Sequence, residues 1–235
     1  REPGQPVWLP TLLLALVIFQ ALLGMWTVTL QLKPVIVMAH LLGGMSTLAL
    51  LVLLALRTSP RRAALTPPPE ARRPWRTLAL VALLVLVTQI ALGGWTSTNY
   101  AALACPDFPT CQGEWWPQTD FREGFVLWRG LGVDYEFGVL DSQARTAIHL
   151  THRIGAVVTL LVVGLLAVGL IRSGVAHLVA TGWLVAALLF TQVLLGIGNI
   201  VLFLPLSVAV AHNATAGLLL LSLVLLHFQI WQRQH

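Results

Sequence analysis

Uncharged apolar runs long enough to cross a bilayer alternate along this chain with short polar breaks. Residues 8–32 and 34–56 are the first two such runs and contain no Asp, Glu, Lys or Arg. A helix rising 1.5 Å per residue needs about 20 apolar residues to span a hydrocarbon core, so each is long enough. Between them Gln31-Leu32-Lys33-Pro34 reads as a tight hairpin, because Pro suits the first turn of a helix. A third span is predicted from about Thr77 to about Thr96, and a fourth from about Ala144 to Arg172. From Ser173 to Gln232 no charged residue occurs, and Pro205 is the natural break between a fifth and a sixth helix. The predicted fold is therefore all-α, a polytopic helical membrane protein with six spans.

Composition supports lipid as the solvent: of 235 residues 57% are hydrophobic and 10% charged, with a mean hydropathy of +0.82. The high isoelectric point, about 10.2, would suggest nucleic acid in a soluble chain, but here the basic residues follow the order of the spans. Residues 58–76, with Arg57 just before them, form an Arg- and Pro-rich linker, while the loop 97–143 holds seven of the nine acidic residues and both cysteines. The positive-inside rule puts that linker and both ends of this chain in the cytoplasm and loop 97–143 on the outer side, with Lys33, Arg122 and Arg129 as exceptions. The chain begins at Arg1 and shows no signal-peptide pattern before Trp8.

An internal repeat sharpens this. Gln20-Ala-Leu-Leu-Gly24-Met-Trp-Thr27, Gln89-Ile-Ala-Leu-Gly93-Gly-Trp-Thr96 and Gln192-Val-Leu-Leu-Gly196-Ile-Gly-Asn199 share one pattern near the outer end of a helix. His40 follows Gln20 by the same 20 residues that separate His212 from Gln192. The spacing predicts a protein of two four-helix halves. Residues 1–57 supply the last two helices of the N-terminal half, 58–76 the linker, and 77–235 a four-helix C-terminal half. The first two of eight spans are absent from this reading. Recurrent small-residue packing in helix bundles is the competing explanation of the motif.

His40, His152 and His212 fall at a similar depth below the outer ends of their helices, and small residues follow one turn later: Gly43/Gly44, Gly155/Ala156 and Thr215/Ala216. Such clearings admit a flat porphyrin ligated through imidazole. His149 is followed by His152 and Arg153, and His227 by Ile230 and Trp231, so neither has a clearing; His177 has one but lies at the opposite end. A lone intramembrane His is more often a packing residue, and the threefold match argues otherwise. Arg153 and Arg145 flank this region; the guanidinium fork suits haem propionates, although Arg145 serves equally well as a snorkelling anchor. Cys105 and Cys111, an even pair on the outer loop, predict a structural disulfide. No zinc site, Ser-His-Asp pattern or phosphate loop is present.

Leu103-Ala-Cys105-Pro-Asp-Phe-Pro-Thr-Cys111, Ala144-Arg145-Thr-Ala-Ile-His149-Leu-Thr-His152-Arg153 and the Gln192 motif with Pro205 to His212 resemble the C-terminal half of the haem A synthase family; Gln20 to Pro34 with His40 resembles the later part of its N-terminal half. The resemblance implies a bacterial cytoplasmic membrane enzyme that oxidises a methyl group of haem O to a formyl group. It implies a haem b held by His152 and His212 and a substrate haem at His40, with an electron donor and the haem O-producing enzyme as partners. The family's catalytic carboxylate has no match here and would lie on preceding helices, leaving the catalytic residues unassigned; its repeat equivalent is His149. A bis-His cytochrome b carrying electrons across the bilayer would use the same histidine pattern plus a second site near His177 and His227. A non-redox haem transporter or chaperone is the third reading.

Overall fold

The structure is a computed structural model, and it describes residues 7–60 and 67–231. The linker residues 61–66 and the closing Arg233 lie outside the described residues. Six helices are long and apolar enough to cross a membrane: α1 (Trp8–Thr29), α2 (Pro34–Thr58), α4 (Arg76–Thr98), α6 (Ser142–Arg172), α7 (Ala176–Val201) and α8 (Leu206–Trp231). Two single-turn helices, α3 (Pro69–Arg72) and α5 (Phe121–Gly124), complete the set. The all-α expectation holds, and no strand occurs among the described residues.

Helices α4, α6, α7 and α8 form a ring in which each packs on the next and α8 closes onto α4. Consequently α6 and α8 stand on one diagonal. The ring is filled by apolar side chains from all four members, among them Ala79 and Leu86, Val163 and Leu166, Leu178 and Val185, and Leu219 and Leu223. Helix α2 packs on the α4–α8 edge, and α1 packs on α2. The outer face of α1 carries Val17, Ile18 and Phe19 about half exposed, as expected of a helix whose surroundings are hydrocarbon.

Three helices end in the same way, and the repeat explains it. At α1, α4 and α7 the last motif residue gives its carbonyl to an amide five residues on: Thr27 O to Leu32 N (2.9 Å), Thr96 O to Ala101 N (2.9 Å) and Asn199 O to Leu204 N (2.7 Å). The closing residues enter the left-handed region, at Gln31 and Leu32, at Tyr100, and at Phe203 and Leu204. This 6→1 closure satisfies helix-end carbonyls that lipid would leave bare. After two of these turns a Pro restarts the chain, Pro34 entering α2 and Pro205 preceding α8. Helix α6 begins with Asp141 accepting from the Ala144 amide at 2.8 Å, an N-cap.

The described part of the linker is partly helical. Glu70 lies in the first turn of α3, and a 3-10 turn at Arg73–Trp75 runs on into α4. Pro in the first positions favours helix initiation once the chain is docked. Docking is visible at two points. The Trp75 ring lies against Gly169 of α6, where a Cβ would overlap it, and Arg76 Nε donates to Ile230 O at 3.4 Å while facing the Trp231 ring.

Candidate functional site

Each copy of the repeat builds a cradle for one histidine. In the first, the Gln20 amide on α1 donates to the His40 carbonyl on α2 at 2.8 Å. In the second, Gln89 Nε2 on α4 lies 3.0 Å from both Nδ1 and the carbonyl oxygen of His152 on α6. In the third, Gln192 Nε2 on α7 lies 3.3 Å from Nε2 of His212 on α8. The motif glycine one turn after each Gln faces the same ring. A Cβ on Gly24, Gly93 or Gly196 would meet Cε1 of His40, His152 or His212 at 3.3, 3.1 or 3.2 Å. The motif therefore specifies an amide to hold the next helix and a gap to seat its imidazole.

The clearings after the histidines serve the same contact. Cβ atoms on Gly43 and Gly155 would overlap the amide oxygens of Gln20 and Gln89. Those two oxygens and that of Gln192 are buried and have no hydrogen-bond partner, as are Nδ1 of His40 and Nδ1 of His212. Buried polar atoms are normally satisfied, and more so in lipid, so these unpartnered atoms make the three cradles the candidate site. His152 and His212 stand on the diagonal helices of the ring, α6 and α8.

The COX15-CtaA family, described as cytochrome oxidase assembly protein, matches residues 1–224. This chain belongs to that family. It is 47% identical over 233 residues to a haem A synthase of Shewanella oneidensis, covering 99% of this chain and 69% of that protein. It is 30% identical over 231 residues to a haem A synthase of Caulobacter vibrioides, covering 93% of this chain and 61% of that one. A third, from Rhizorhabdus wittichii, is 28% identical over 211 residues, covering 87% of this chain and 56% of that relative. The chain thus spans from just over half to about two thirds of the relatives' lengths.

In this COX15-CtaA chain the loop end of α6 is occupied by a polar lock. His149, 3% exposed, has the Cys105 amide 3.2 Å from Nδ1 and Arg153 Nε 3.3 Å from Nε2, and its ring accepts from one of these two donors, the other nitrogen carrying the proton. The Arg153 guanidinium also donates to the carbonyls of Thr110 (2.7 Å), Cys105 (2.9 Å) and Asp107 (2.7 Å). Cys105 and Cys111 are joined, as predicted, and both are buried. Where the sequence reading directs Arg153 to haem propionates, the structure directs its donors to main-chain carbonyls, because the disulfide loop folds over the α6 face. Arg145 stays partly exposed at the end of α6, its Nε 3.4 Å from Asp141 O.

Sequence reasoning missed a second fastening. Lys33 is 2% exposed; its ammonium donates to Gly130 O and lies 3.4 Å from the centroid of Trp128. Nearby, Tyr135 N donates to Gln31 O at 3.1 Å. Loop 97–143 is thereby tied to the α1–α2 turn. Lys33 precedes His40 by the same seven residues that separate Arg145 from His152, two helical turns on one face. That spacing was the available signal. At the other end His177 is exposed, and His227 stacks on Trp231 with centroids 4.9 Å apart and bonds the Leu223 carbonyl through Nδ1 at 2.8 Å. Neither arrangement resembles the Gln-Gly cradles. Among the described residues no cluster of three His, Cys, Asp or Glu could hold a bare metal ion.

Proposed function

We propose that this chain provides the haem-binding part of a haem A synthase, which oxidises a methyl group of haem O to a formyl group. In this reading a haem b is held between His152 and His212, and His40 is a ligand on the substrate-haem side. The observation that carries the reading is the threefold Gln-Gly-His cradle, two copies of which put their histidines on opposed helices of one ring. The donor set fits: imidazole nitrogens and unpartnered buried polar atoms beside them. A haem held by these two imidazoles would supply one-electron transfer.

The chain's own residues then have separate tasks. Gln89 and Gln192 orient the imidazoles, and Gly93 and Gly196 leave room for them. The apolar ring below keeps water from the site. His149 and Arg153 close the loop end by holding the disulfide loop, and Arg145 is the cation free to meet a carboxylate at that edge. The loop end faces outward and the Arg-rich end the cytoplasm of a bacterial inner membrane, in keeping with the charge pattern. Haem O, the enzyme that makes it and an electron donor are the partners this activity requires.

The test is spectroscopic. In the full-length protein, His152→Ala and His212→Ala should each abolish the low-spin b-type absorption, while His40→Ala should keep it and lose conversion of co-expressed haem O to haem A. Retention of the spectrum in both His152 and His212 variants would defeat the assignment. A protein that keeps it and never yields haem A would be an electron carrier or a haem chaperone.

A further inference from the structure

The three cradles hold their histidines differently. Gln20 reaches only the backbone of His40, leaving Nδ1 of that ring buried and unpartnered. Gln192 meets His212 at Nε2, again leaving Nδ1 unpartnered. Gln89 alone engages ring Nδ1, and it grips the backbone carbonyl of the same residue as well. The His152 ring is thus fixed from three sides, by the amide at Nδ1, by Gly93 at Cε1, and through its own main chain.

We propose that Gln89 is a positioning residue for His152, an amide that fixes the imidazole plane and follows its tautomer, and so tunes the reduction potential of the group His152 holds. This rests on the haem b reading. When Nε2 of an imidazole binds iron, the remaining proton is on Nδ1, and the partner of that N–H sets ligand basicity. A carboxamide serves both states: its nitrogen donates to a bare Nδ1 and to the His152 carbonyl, and a half-turn about its last torsion offers the oxygen to Nδ1–H while giving up the bond to that carbonyl. The Gln89 oxygen is buried without a partner beside Gly155, where any side chain would block it. A packing role alone needs the bond to the His152 carbonyl, which Gln20 shows is enough to join two helices. The second contact, to Nδ1, is the one that reaches the ring.

The experiment uses the full-length protein purified with its haem and compares Gln89→Glu, Gln89→Leu and Gln20→Leu by redox titration of the low-spin absorption and by electron paramagnetic resonance. Gln89→Glu should shift the midpoint potential downward, because a carboxylate accepting from Nδ1–H makes the imidazole a stronger donor. Gln89→Leu should shift it upward and broaden the low-spin g values as the ring plane loses its stop. Gln20→Leu should leave both unchanged. An unchanged potential and spectrum in both Gln89 variants at full haem content would overturn the proposal. Loss of haem from both would assign Gln89 to helix packing and overturn it too. If His152→Ala keeps the low-spin spectrum, it is the haem b reading that fails instead.

Discussion

The α1–α2 pair and the α4–α6 pair use the same Gln, Gly and His, yet one grips its imidazole and the other does not. Gln89 binds both ring and backbone of His152, and the loop end above that ring is sealed by His149, Arg153 and the buried disulfide. Gln20 binds only backbone at His40, and the mouth above is covered by the strap that Lys33 holds through Gly130 and Trp128. A ligand seated in the first arrangement is locked in from two directions. In the second the ring has no partner at Nδ1, and the cover is held by the Lys33 ammonium and the Tyr135–Gln31 backbone bond. In the proposed function the difference suits a resident cofactor on one side and, on the other, a haem substrate that arrives and departs.

Arg153→Ala should have the largest effect. It strips the Thr110, Cys105 and Asp107 carbonyls and His149 of their donor. Leaving these part-buried acceptors without their donor costs on the order of 1–3 kcal/mol. The expected outcome is lowered thermal stability with most of the low-spin haem lost on purification. Arg153→Lys should recover little, since one ammonium cannot span the carbonyls a planar fork reaches. Lys33→Ala should cost about 1 kcal/mol from one hydrogen bond and one cation–π contact, and should leave low-spin haem content intact. Equal haem loss in Lys33→Ala and Arg153→Ala would erase the distinction between lock and strap.

The motif glycines offer a finer test. Alanine in a helix is favoured over glycine by about 1 kcal/mol, so the sign at each site depends on whether the facing ring can yield. At Gly93 the His152 ring is pinned by Gln89, and a Cβ at 3.1 Å must force it. There Gly93→Ala should destabilise by roughly 1–2 kcal/mol, the scale of overpacking a fixed site. At Gly24 the His40 ring has no ring hydrogen bond and a contact of 3.3 Å, so Gly24→Ala should be neutral or slightly stabilising. Thermal melts monitored by haem absorbance and by tryptophan fluorescence would read both.

The spans, the Pro205 break, the repeat and the histidine triad were legible because they follow from periodicity and spacing, which lipid enforces strictly. The position of Gln20 and Gln89 in the motif was visible, but not their partners: a pairing across two helices depends on crossing geometry that no local pattern encodes. Arg153 shows the limit most plainly. Its neighbours in sequence are His149 and His152, and spacing alone aims it at a cofactor; its actual partners, Cys105, Asp107 and Thr110, come from a loop more than 40 residues earlier. Lys33 had a visible seven-residue relation to His40, yet the loop segment around Trp128 that covers it has no helical period to read.

The smallest predicted effect concerns how the disulfide loop keeps its shape on the lock side. The Asp107 carboxylate accepts from the Thr110 hydroxyl and from the Gln112 and Gly113 amides. These contacts, the Thr110 hydroxyl foremost, hold its carboxyl below the ordinary value of 3.8 against the opposing effect of desolvation. A carboxylate with a lowered folded-state value contributes stability above its unfolded value and loses it as pH falls through the folded one. Hydrogen exchange at Gln112 and Gly113, corrected for intrinsic rates, should therefore be flat from about pH 7 to about pH 5, where the carboxylate stays ionised. Below 3.8 it should rise. Asp107→Asn should show faster exchange throughout and no such rise. Because Arg153 holds the Asp107 main-chain carbonyl rather than its carboxylate, the lock itself should survive that acidification. A loop that opened completely at the same pH, exposing the buried disulfide to reductant, would show that the carboxylate and not the guanidinium is what keeps this side closed.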